Sequence, residues 1–206
     1  MSRASQAIPL SLRVRIGRAR ARALWPLTGF GVPAPQHVKL NVLSRYGYER
    51  GTWVETGTYL GDTTQVLAQR AAHVYTIEPS AFLAERARER FKSVPTVEIC
   101  EGLSEQLLPG ILDKISGPVS FWLDGHASGG LTHSGPQVTP IREELTTIQA
   151  HLESMPQIAV FVDDFRGFGE RHELDGAYPS RSFLVQWADS NNLNWTVEHD
   201  IFVAFR

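Results

Sequence analysis

Residues 54–64 read VETGTYLGDTT, an apolar strand followed by a turn with two glycines and the start of a helix. A second apolar run follows about twenty residues later and ends at Glu78. A strand, a glycine turn, a helix and a second strand that ends in a carboxylate form a nucleotide-binding half-site. The glycines let the backbone approach a ligand closely. The carboxylate can accept hydrogen bonds from both hydroxyls of a ribose, so this stretch predicts a nucleotide-containing cofactor.

The rest of the chain alternates between strand and helix patterns. We predict strands at 52–55, 74–77, 96–99, 119–123 and 158–162. We predict helices at 63–72, 81–92, 104–115, 140–153 and 182–190, and a closing hairpin at 195–205. Alternating β and α elements predict an α/β fold with a doubly wound, mostly parallel sheet. A Rossmann-like sheet that ends in an antiparallel hairpin is typical of class I S-adenosylmethionine (SAM) methyltransferases.

Charge is distributed unevenly along the chain. Residues 1–48 contain eight arginine and lysine residues and no acid, although the whole chain has a net charge of −2. With a hinge rich in glycine and proline at 31–35, this predicts a basic N-terminal arm, residues 1–36. The remainder, residues 37–206, is predicted to form one methyltransferase domain. The arm could pack on the domain or on a partner subunit, or it could contact an anionic substrate or a membrane surface.

Composition also bears on partners and location. Outside the arm the chain offers no basic face, so we do not expect nucleic-acid binding. No apolar run approaches the roughly 20 residues of a membrane helix, so we expect no stable membrane insertion. Cys100 is the single cysteine, which rules out an internal disulfide and fits a cytoplasmic protein. We expect a homodimer.

The spacing of the glycines distinguishes SAM from dinucleotides. Gly57 and Gly61 are separated by three residues, which does not match the GxGxxG motif of dinucleotide sites. A glutamate two residues before the first glycine is instead the pattern of SAM binders, whose ligand carries an ammonium that needs acceptors. An NAD-like cofactor or no cofactor is the alternative. The predicted SAM-binding residues are Glu55, Thr56, Gly57, Thr58, Tyr59, Gly61, Thr63, Glu78, Ser80, Gly102, Ser104 and Asp124.

Aspartates follow two other predicted strands. Asp124 comes directly after the fourth strand, and Asp163 and Asp164 come after the fifth. Neighbouring strand ends can bring the three carboxylates together, and without compensation they would repel one another strongly. A hard divalent cation resolves the repulsion, so we predict that these aspartates bind Mg²⁺. The alternative is that Asp163 or Asp164 caps a turn and that Asp124 faces the cofactor.

A histidine lies next to the predicted metal site. His126 is two residues beyond Asp124, in the polar loop that leaves the fourth strand. A neutral imidazole there could take a proton from a hydroxyl, so we predict His126 as the catalytic base. It could also be a metal or substrate ligand or a structural residue. His133, on the same loop, is the competing candidate. This loop, 127–138, and a second one, 165–179, are long and polar, which favours substrate binding.

These motifs together resemble a known group of enzymes. ETG at 55–57 with Gly61, then Glu78, LDGH at 123–126 and VDD at 162–164 look like the metal-dependent sugar O-methyltransferases of the macrocin and novobiocin type. The resemblance covers about residues 50–165. It implies that the first aspartate and the aspartate pair bind Mg²⁺, and that the base lies two residues after the first aspartate. This chain departs from the family at that position, because His126 stands where the family has an aspartate.

The motifs and the resemblance together predict a Mg²⁺-dependent SAM O-methyltransferase. Its substrate is predicted to be a hydroxyl of a sugar or oligosaccharide, and methylated mannosides are one setting that the resemblance suggests. Two alternatives remain. One is a catechol-type O-methyltransferase that acts on a small aromatic acceptor. The other is a non-catalytic partner protein with a methyltransferase fold.

Overall fold

The computed structural model describes residues 12–124, 139–169 and 178–206. Seven strands lie within these ranges: β1 Thr52–Thr56, β2 His73–Glu78, β3 Val97–Glu101, β4 Val119–Leu123, β5 Ile158–Val162, β6 Asn194–Glu198 and β7 Ile201–Phe205. The α-helices are α1 Leu12–Leu24, α2 Gln36–Tyr46, α3 Asp62–Leu67, α4 Ala81–Phe91, α5 Ser104–Leu112, α6 Ile141–Ala150 and α7 Arg181–Ser190. Short 3₁₀ helices cover Trp25–Thr28, Leu152–Ser154 and Phe165–Gly167.

The strands form one sheet in the order β3-β2-β1-β4-β5-β7-β6. Strands β1 to β5 are parallel, whereas β7 is antiparallel to both β5 and β6. Every residue of β4 and β5 is buried, because helices cover both faces of the centre of the sheet. The predicted fold class, a doubly wound, mostly parallel Rossmann-like sheet with a C-terminal antiparallel hairpin, is therefore confirmed.

Two apolar layers hold the sheet, one on each face. One layer joins β1, β4 and β5 to α5, α6 and α7. The other joins Trp53 and Phe161 of the sheet, whose rings stack 5.7 Å apart, to α2 and α3. Val42 and Leu43 bury α2 in this second layer. Helix α2 is thus part of the core of the domain, although the sequence did not predict it as a helix.

The N-terminal segment contacts the domain. The Trp25 ring lies 5.6 Å from the ring of His199, which occupies the turn of the β6–β7 hairpin, and 6.4 Å from the ring of His37. Trp25 therefore lies close to the turn of the closing hairpin and to the start of α2. In the part of the chain that the structure describes, no helix is long and apolar enough to cross a membrane.

Three predicted helices end three or more residues earlier than expected, and one of them is α6, which ends at Ala150 and is followed by the 3₁₀ helix Leu152–Ser154. Helix α3 ends at Leu67, and the N–H groups of Gln69 and Arg70 bond to carbonyls three residues back rather than four. Helix α5 ends at Leu112 and is followed by the same tighter turns. These 3₁₀ turns redirect the chain toward the next strand, and a hydrophobic pattern does not reveal them.

Candidate active site

The turn after β1 is shaped by its two glycines. Gly57 has φ 94° and Gly61 has φ 77°, a region that side chains with a Cβ rarely occupy. The N–H groups of Gly57 and Thr58 both donate to the carbonyl of Ile77, at 3.0 and 3.2 Å. A Cβ on Gly61 would lie 2.7 Å from the ring of Phe91. The fold of the turn therefore needs these glycines, whether or not a ligand is bound.

Glu55 lies beneath this turn in a buried hydrogen-bond network. Its side chain is 1% exposed, and one carboxyl oxygen accepts from the hydroxyls of Thr64 at 2.5 Å and Thr76 at 2.7 Å. Burial raises the pKa of Glu55 to about 7, although the two hydroxyls act in the opposite direction. Glu55 thus links β1 to α3 and β2 through the hydrogen bonds from Thr64 and Thr76.

Glu78, at the end of β2, is fixed by backbone donors. The N–H of Tyr59 donates to its Oε2 at 2.8 Å, and the N–H of Ser80 donates to its Oε1 at 3.0 Å. A carboxylate has about four acceptor positions, so each oxygen can accept a further hydrogen bond. The structure therefore holds this carboxylate in a fixed orientation at the strand end, as the ribose prediction requires.

The other predicted SAM-binding side chains take structural roles at the same edge. The hydroxyl of Thr58 bonds to Thr76 at 2.6 Å, and that of Thr63 accepts from Gln36 of α2 at 2.9 Å. Ser80 caps α4, and Ser104 is buried at the start of α5. The remaining positions are Thr56, buried at the end of β1, Tyr59, half-exposed on the turn, and Gly102, whose N–H donates to the Glu78 carbonyl at 3.0 Å.

The aspartates gather at the ends of β4 and β5. The N–H of Asp124 donates to the Thr56 carbonyl, and the N–H of Asp163 donates to the Leu123 carbonyl, both at 3.1 Å. We call this edge, with Asp124, Asp163 and Asp164, the aspartate half. The ends of β1 and β2, with Glu55 and Glu78, are the glutamate half.

The aspartate half contains a lysine that the sequence analysis did not select. The Lys39 ammonium bonds to Oδ2 of Asp163 and lies 3.8 Å from Oδ1 of Asp164. Burial lowers the pKa of Lys39, but the carboxylates of Asp163, Asp164 and Asp124 more than offset this and raise it. Burial also raises the pKa of Asp163, which is opposed by the Lys39 ammonium. The lysine therefore stays charged.

A second cation holds Asp164 from the other side. The guanidinium of Arg166 lies 2.8 Å from Oδ1 of Asp164 and also bonds to Asp200, in the β6–β7 turn. Asp200 in turn accepts from the backbone N–H of Arg166 at 2.7 Å. Asp164 and Asp200 both have positive φ, 52° and 73°. The closing hairpin thus fixes the backbone that carries the aspartate pair.

Two further residues belong to this region. Burial, together with the charges of Asp164 and Asp124, raises the pKa of Tyr178 to about 12. Glu144 of α6 is 1% exposed; burial raises its pKa to about 7, and the nearby hydroxyls of Ser104 and Thr56 act in the opposite direction. The sequence contained a signal for Glu144, because it shares an apolar helical face with Ile141, Leu145 and Ile148.

The predicted magnesium site does not fit the side chains as the structure arranges them. Within residues 12–124, 139–169 and 178–206, no group of three or more His, Cys, Asp and Glu side chains has a geometry that could hold a metal ion. The prediction assumed that the three aspartates lack compensation, whereas Lys39 and Arg166 supply it. His126, His133 and the loop 127–138 lie outside the described residues, as does 170–177 of the second loop.

Comparisons with known proteins support the fold. No protein-family model and no curated protein sequence matches the chain. A proposed methyltransferase from Streptococcus mutans, solved in complex with SAH, matches with TM-score 0.51 and 14% identity over 84% of this chain and 97% of that one. A proposed rRNA methylase from Clostridium thermocellum matches with TM-score 0.54 and 12% identity over 81% and 93%. The methyltransferase domain of bacterial CtHen1 matches with TM-score 0.50 and 10% identity over 82% and 95%.

The sheet topology and these comparisons define the fold class of the chain. The chain has the class I fold of SAM-dependent methyltransferases, with a seven-stranded sheet whose last strands are antiparallel. At these identities the likeness concerns the fold alone.

Proposed function

We propose that the chain is a SAM-dependent methyltransferase that methylates a hydroxyl of a sugar or oligosaccharide. The observation that carries the first part is Glu78, a carboxylate held by two backbone N–H groups at the end of β2 in a methyltransferase fold. Ligands of such sheets bind beyond the carboxyl ends of the strands. One neighbour with this fold was solved in complex with SAH, which supports the same ligand class.

The glutamate half would hold the cofactor. Glu78 is suited to accept from the ribose hydroxyls, because its orientation is set by Tyr59 and Ser80 and it retains acceptor capacity. The backbone of the Gly57–Tyr59 turn lies beside it, kept in place by the buried Glu55 network. When bound, SAM supplies a methyl group that is already activated on a sulfonium, so the protein contributes mainly by positioning the acceptor.

The aspartate half would hold the acceptor. Among the described residues it presents carboxylates and the Lys39 ammonium. A polyhydroxylated molecule both donates and accepts hydrogen bonds, so these groups favour a sugar over the aromatic acceptor of a catechol-type enzyme. His126 remains the predicted base that takes the proton from the acceptor hydroxyl.

An RNA acceptor is disfavoured by the charge of this half. Some structural neighbours are described as rRNA methylases. In this chain, however, the cations of the aspartate half, Lys39 and Arg166, are paired with aspartates. Phosphates need uncompensated cations for binding, so nucleic acid is not the proposed substrate.

Magnesium does not enter this proposal. The family resemblance implies a magnesium ion. The Lys39 ammonium contacts Asp163 and Asp164, however, so no step of the proposed reaction uses a metal. The cytoplasmic location and the homodimer stay predictions, and light scattering on the purified protein would measure the mass that decides the second.

The test is a binding measurement followed by a transfer assay. Calorimetry should show binding of SAH and no binding of NAD. Radiolabelled SAM should then donate its methyl group to members of a panel of mono- and oligosaccharides, but not to catechol or to an RNA oligonucleotide. NAD binding without SAH binding would overturn the cofactor. Transfer to catechol alone would overturn the acceptor class, and SAH binding without any transfer would favour a non-catalytic partner protein.

A further inference from the structure

Lys39 is built into the candidate active site from a distant part of the chain. It lies on α2, 124 residues before Asp163, and its side chain is only 13% exposed. Its ammonium contacts both members of the aspartate pair and is close enough to Asp124 to respond to its charge. The Lys39 ammonium is therefore held directly against the aspartate pair.

Helix α2 holds this lysine in place from both sides. Val42 and Leu43 anchor the helix in the core, while Gln36, one turn before Lys39, donates to Thr63 at the start of α3. Residues three apart lie on the same side of a helix. One face of α2 therefore contacts the start of α3 through Gln36 and the aspartate half through Lys39.

We propose that the Lys39 ammonium, rather than a divalent metal ion, is the cation of this site, and that it binds the acceptor hydroxyl. It pairs with Asp163, while the Arg166 guanidinium pairs with Asp164, so the two cations together remove the repulsion that a metal would otherwise relieve. A divalent ion bound by the same carboxylates would be brought against the ammonium, and like charges repel. The part that concerns the acceptor rests on the proposed function, whereas the part that concerns the metal does not.

The free donors and acceptors around Lys39 match a hydroxylated ligand. An ammonium has three N–H donors, so one can serve the acceptor oxygen while others serve the aspartates. Oδ1 of Asp163 is buried and has no hydrogen-bond partner among the described residues. A donor next to a buried acceptor fits a hydroxyl or a pair of neighbouring hydroxyls, which both donate and accept.

The reaction needs no redox partner and balances with Lys39 protonated throughout. The acceptor oxygen forms a bond to the methyl carbon as the carbon–sulfur bond breaks, and the electron pair of that bond remains on sulfur. The hydroxyl proton passes to the base, predicted to be His126. Lys39 donates a hydrogen bond to the oxygen while negative charge develops on it, which is the role of an electrostatic stabiliser.

Metal binding tests the first part without any turnover. Electron paramagnetic resonance would follow a titration of Mn²⁺ into the purified protein without any cofactor added. We expect no stoichiometric Mn²⁺ site in the wild type, a site in K39M, where Asp163 loses its paired cation, and loss of that site in K39M/D163N. K92M is the matched control, since Lys92 is an exposed lysine paired with Glu89, and it should behave as the wild type. A stoichiometric Mn²⁺ site in the wild type that D163N removes would overturn the proposal, even if K39M did not fold.

Turnover tests the second part. K39M should lose about 10²–10³-fold in kcat with SAH affinity unchanged, as for removal of one donor to a developing oxyanion. K39R should recover part of the loss because it keeps the charge, and EDTA should leave the wild type active. Wild-type turnover that EDTA abolishes and Mg²⁺ restores would overturn the proposal. If no acceptor is methylated at all, the proposed function fails, and the Mn²⁺ titration still decides the identity of the cation.

Discussion

The two halves of the candidate active site hold their carboxylates in opposite ways. In the glutamate half, Glu55 and Glu78 accept hydrogen bonds from neutral hydroxyl and backbone N–H groups. In the aspartate half, Asp163 and Asp164 are held by the cations Lys39 and Arg166. The first half is therefore organised by hydrogen-bond geometry and the second by charge.

The origin of the partners differs as well. Both carboxylates of the glutamate half and all of their hydrogen-bond donors lie within residues 55–80. In the aspartate half, Lys39 comes from α2, which precedes the whole sheet in sequence, and Asp200 comes from the turn of the closing hairpin. The glutamate half is built from residues close in sequence, which suits a cofactor that stays the same. The aspartate half is built from distant elements, so its residues can change independently when the acceptor differs. Four predictions test this contrast.

The largest expected effect concerns the predicted base, which follows Asp124 by two residues in the sequence. If His126 takes the acceptor proton, H126A should lose about 10²–10⁴-fold in rate, with SAH affinity unchanged. Turnover of the wild type should also fall as the pH drops through the imidazole pKa, near 6.5. Steady-state kinetics and calorimetry on the same preparation separate the two quantities. H133A is the control and should reduce turnover only slightly. If H133A abolishes turnover and H126A does not, the base is His133.

The pKa of Glu55 predicts a pH-dependent stability in the glutamate half. Its folded pKa, about 7, is above the ordinary value of 4.5, so its contribution is fully present below about pH 4.5 and is lost as the pH rises to about 7. This pKa shift corresponds to about 3 kcal/mol in the free energy of unfolding. In E55Q the side chain stays neutral, so the unfolding free energy of E55Q relative to wild type should rise by up to that amount between pH 5 and pH 8. Urea denaturation measures it, and a constant difference would show that Glu55 ionises normally.

Glu78 should affect cofactor binding and leave stability nearly unchanged. E78Q replaces an acceptor by a donor that faces a backbone N–H, and the loss of charge-assisted hydrogen bonds should weaken SAH binding about 10- to 100-fold. E101Q is the matched control, because Glu101 ends the neighbouring strand but pairs with Arg88 at the surface. Equal affinities of E78Q and wild type in calorimetry would remove the observation on which the cofactor assignment rests.

The smallest effect separates a cap from a ligand contact. Ser80 was predicted to bind SAM, but its hydroxyl accepts from the N–H of Leu83 and caps α4. S80A should therefore cost about 1 kcal/mol of stability with little change in SAH affinity. S180A is the control, since Ser180 caps α7 in the same way and lies outside the glutamate half. A clear loss of SAH affinity in S80A alone would restore Ser80 as a ligand contact.

The sequence was sufficient for the glutamate half because its chemistry is local. The turn glycines, the strand pattern and Glu78 lie close together in the chain, and the predicted sheet and strand bounds agree with the structure to within two residues at each end. Only the depth of Glu55 was missed. Its burial follows from Thr64 and Thr76, which approach it only when β2 and α3 pack against β1.

The aspartate half could be predicted only in part. Asp124, Asp163 and Asp164 were identified from their positions after apolar strands, but nothing near them in sequence indicates Lys39. Lys39 lies just inside the predicted domain, 37–206, but no helix was predicted there, because the segment follows two prolines at the end of the basic N-terminal arm. The contact of Arg166 with Asp200 likewise depends on the pairing of β7 with β5. Local residue propensities do not predict the order of strands in a sheet.

The position of β7 between β5 and β6 has a consequence for synthesis of the chain. Strand β5 pairs on one side with β4, which precedes it, but its other neighbour comes almost last. Roughly 40 residues separate the two strands, which is roughly 2–8 s of translation at 5–20 residues per second. Until β7 pairs with it, β5, which is apolar along its whole length, would be an open sheet edge, where unpaired N–H and C=O groups favour association with other chains. The strand that completes the aspartate half is thus also the one that closes this edge in the nascent protein.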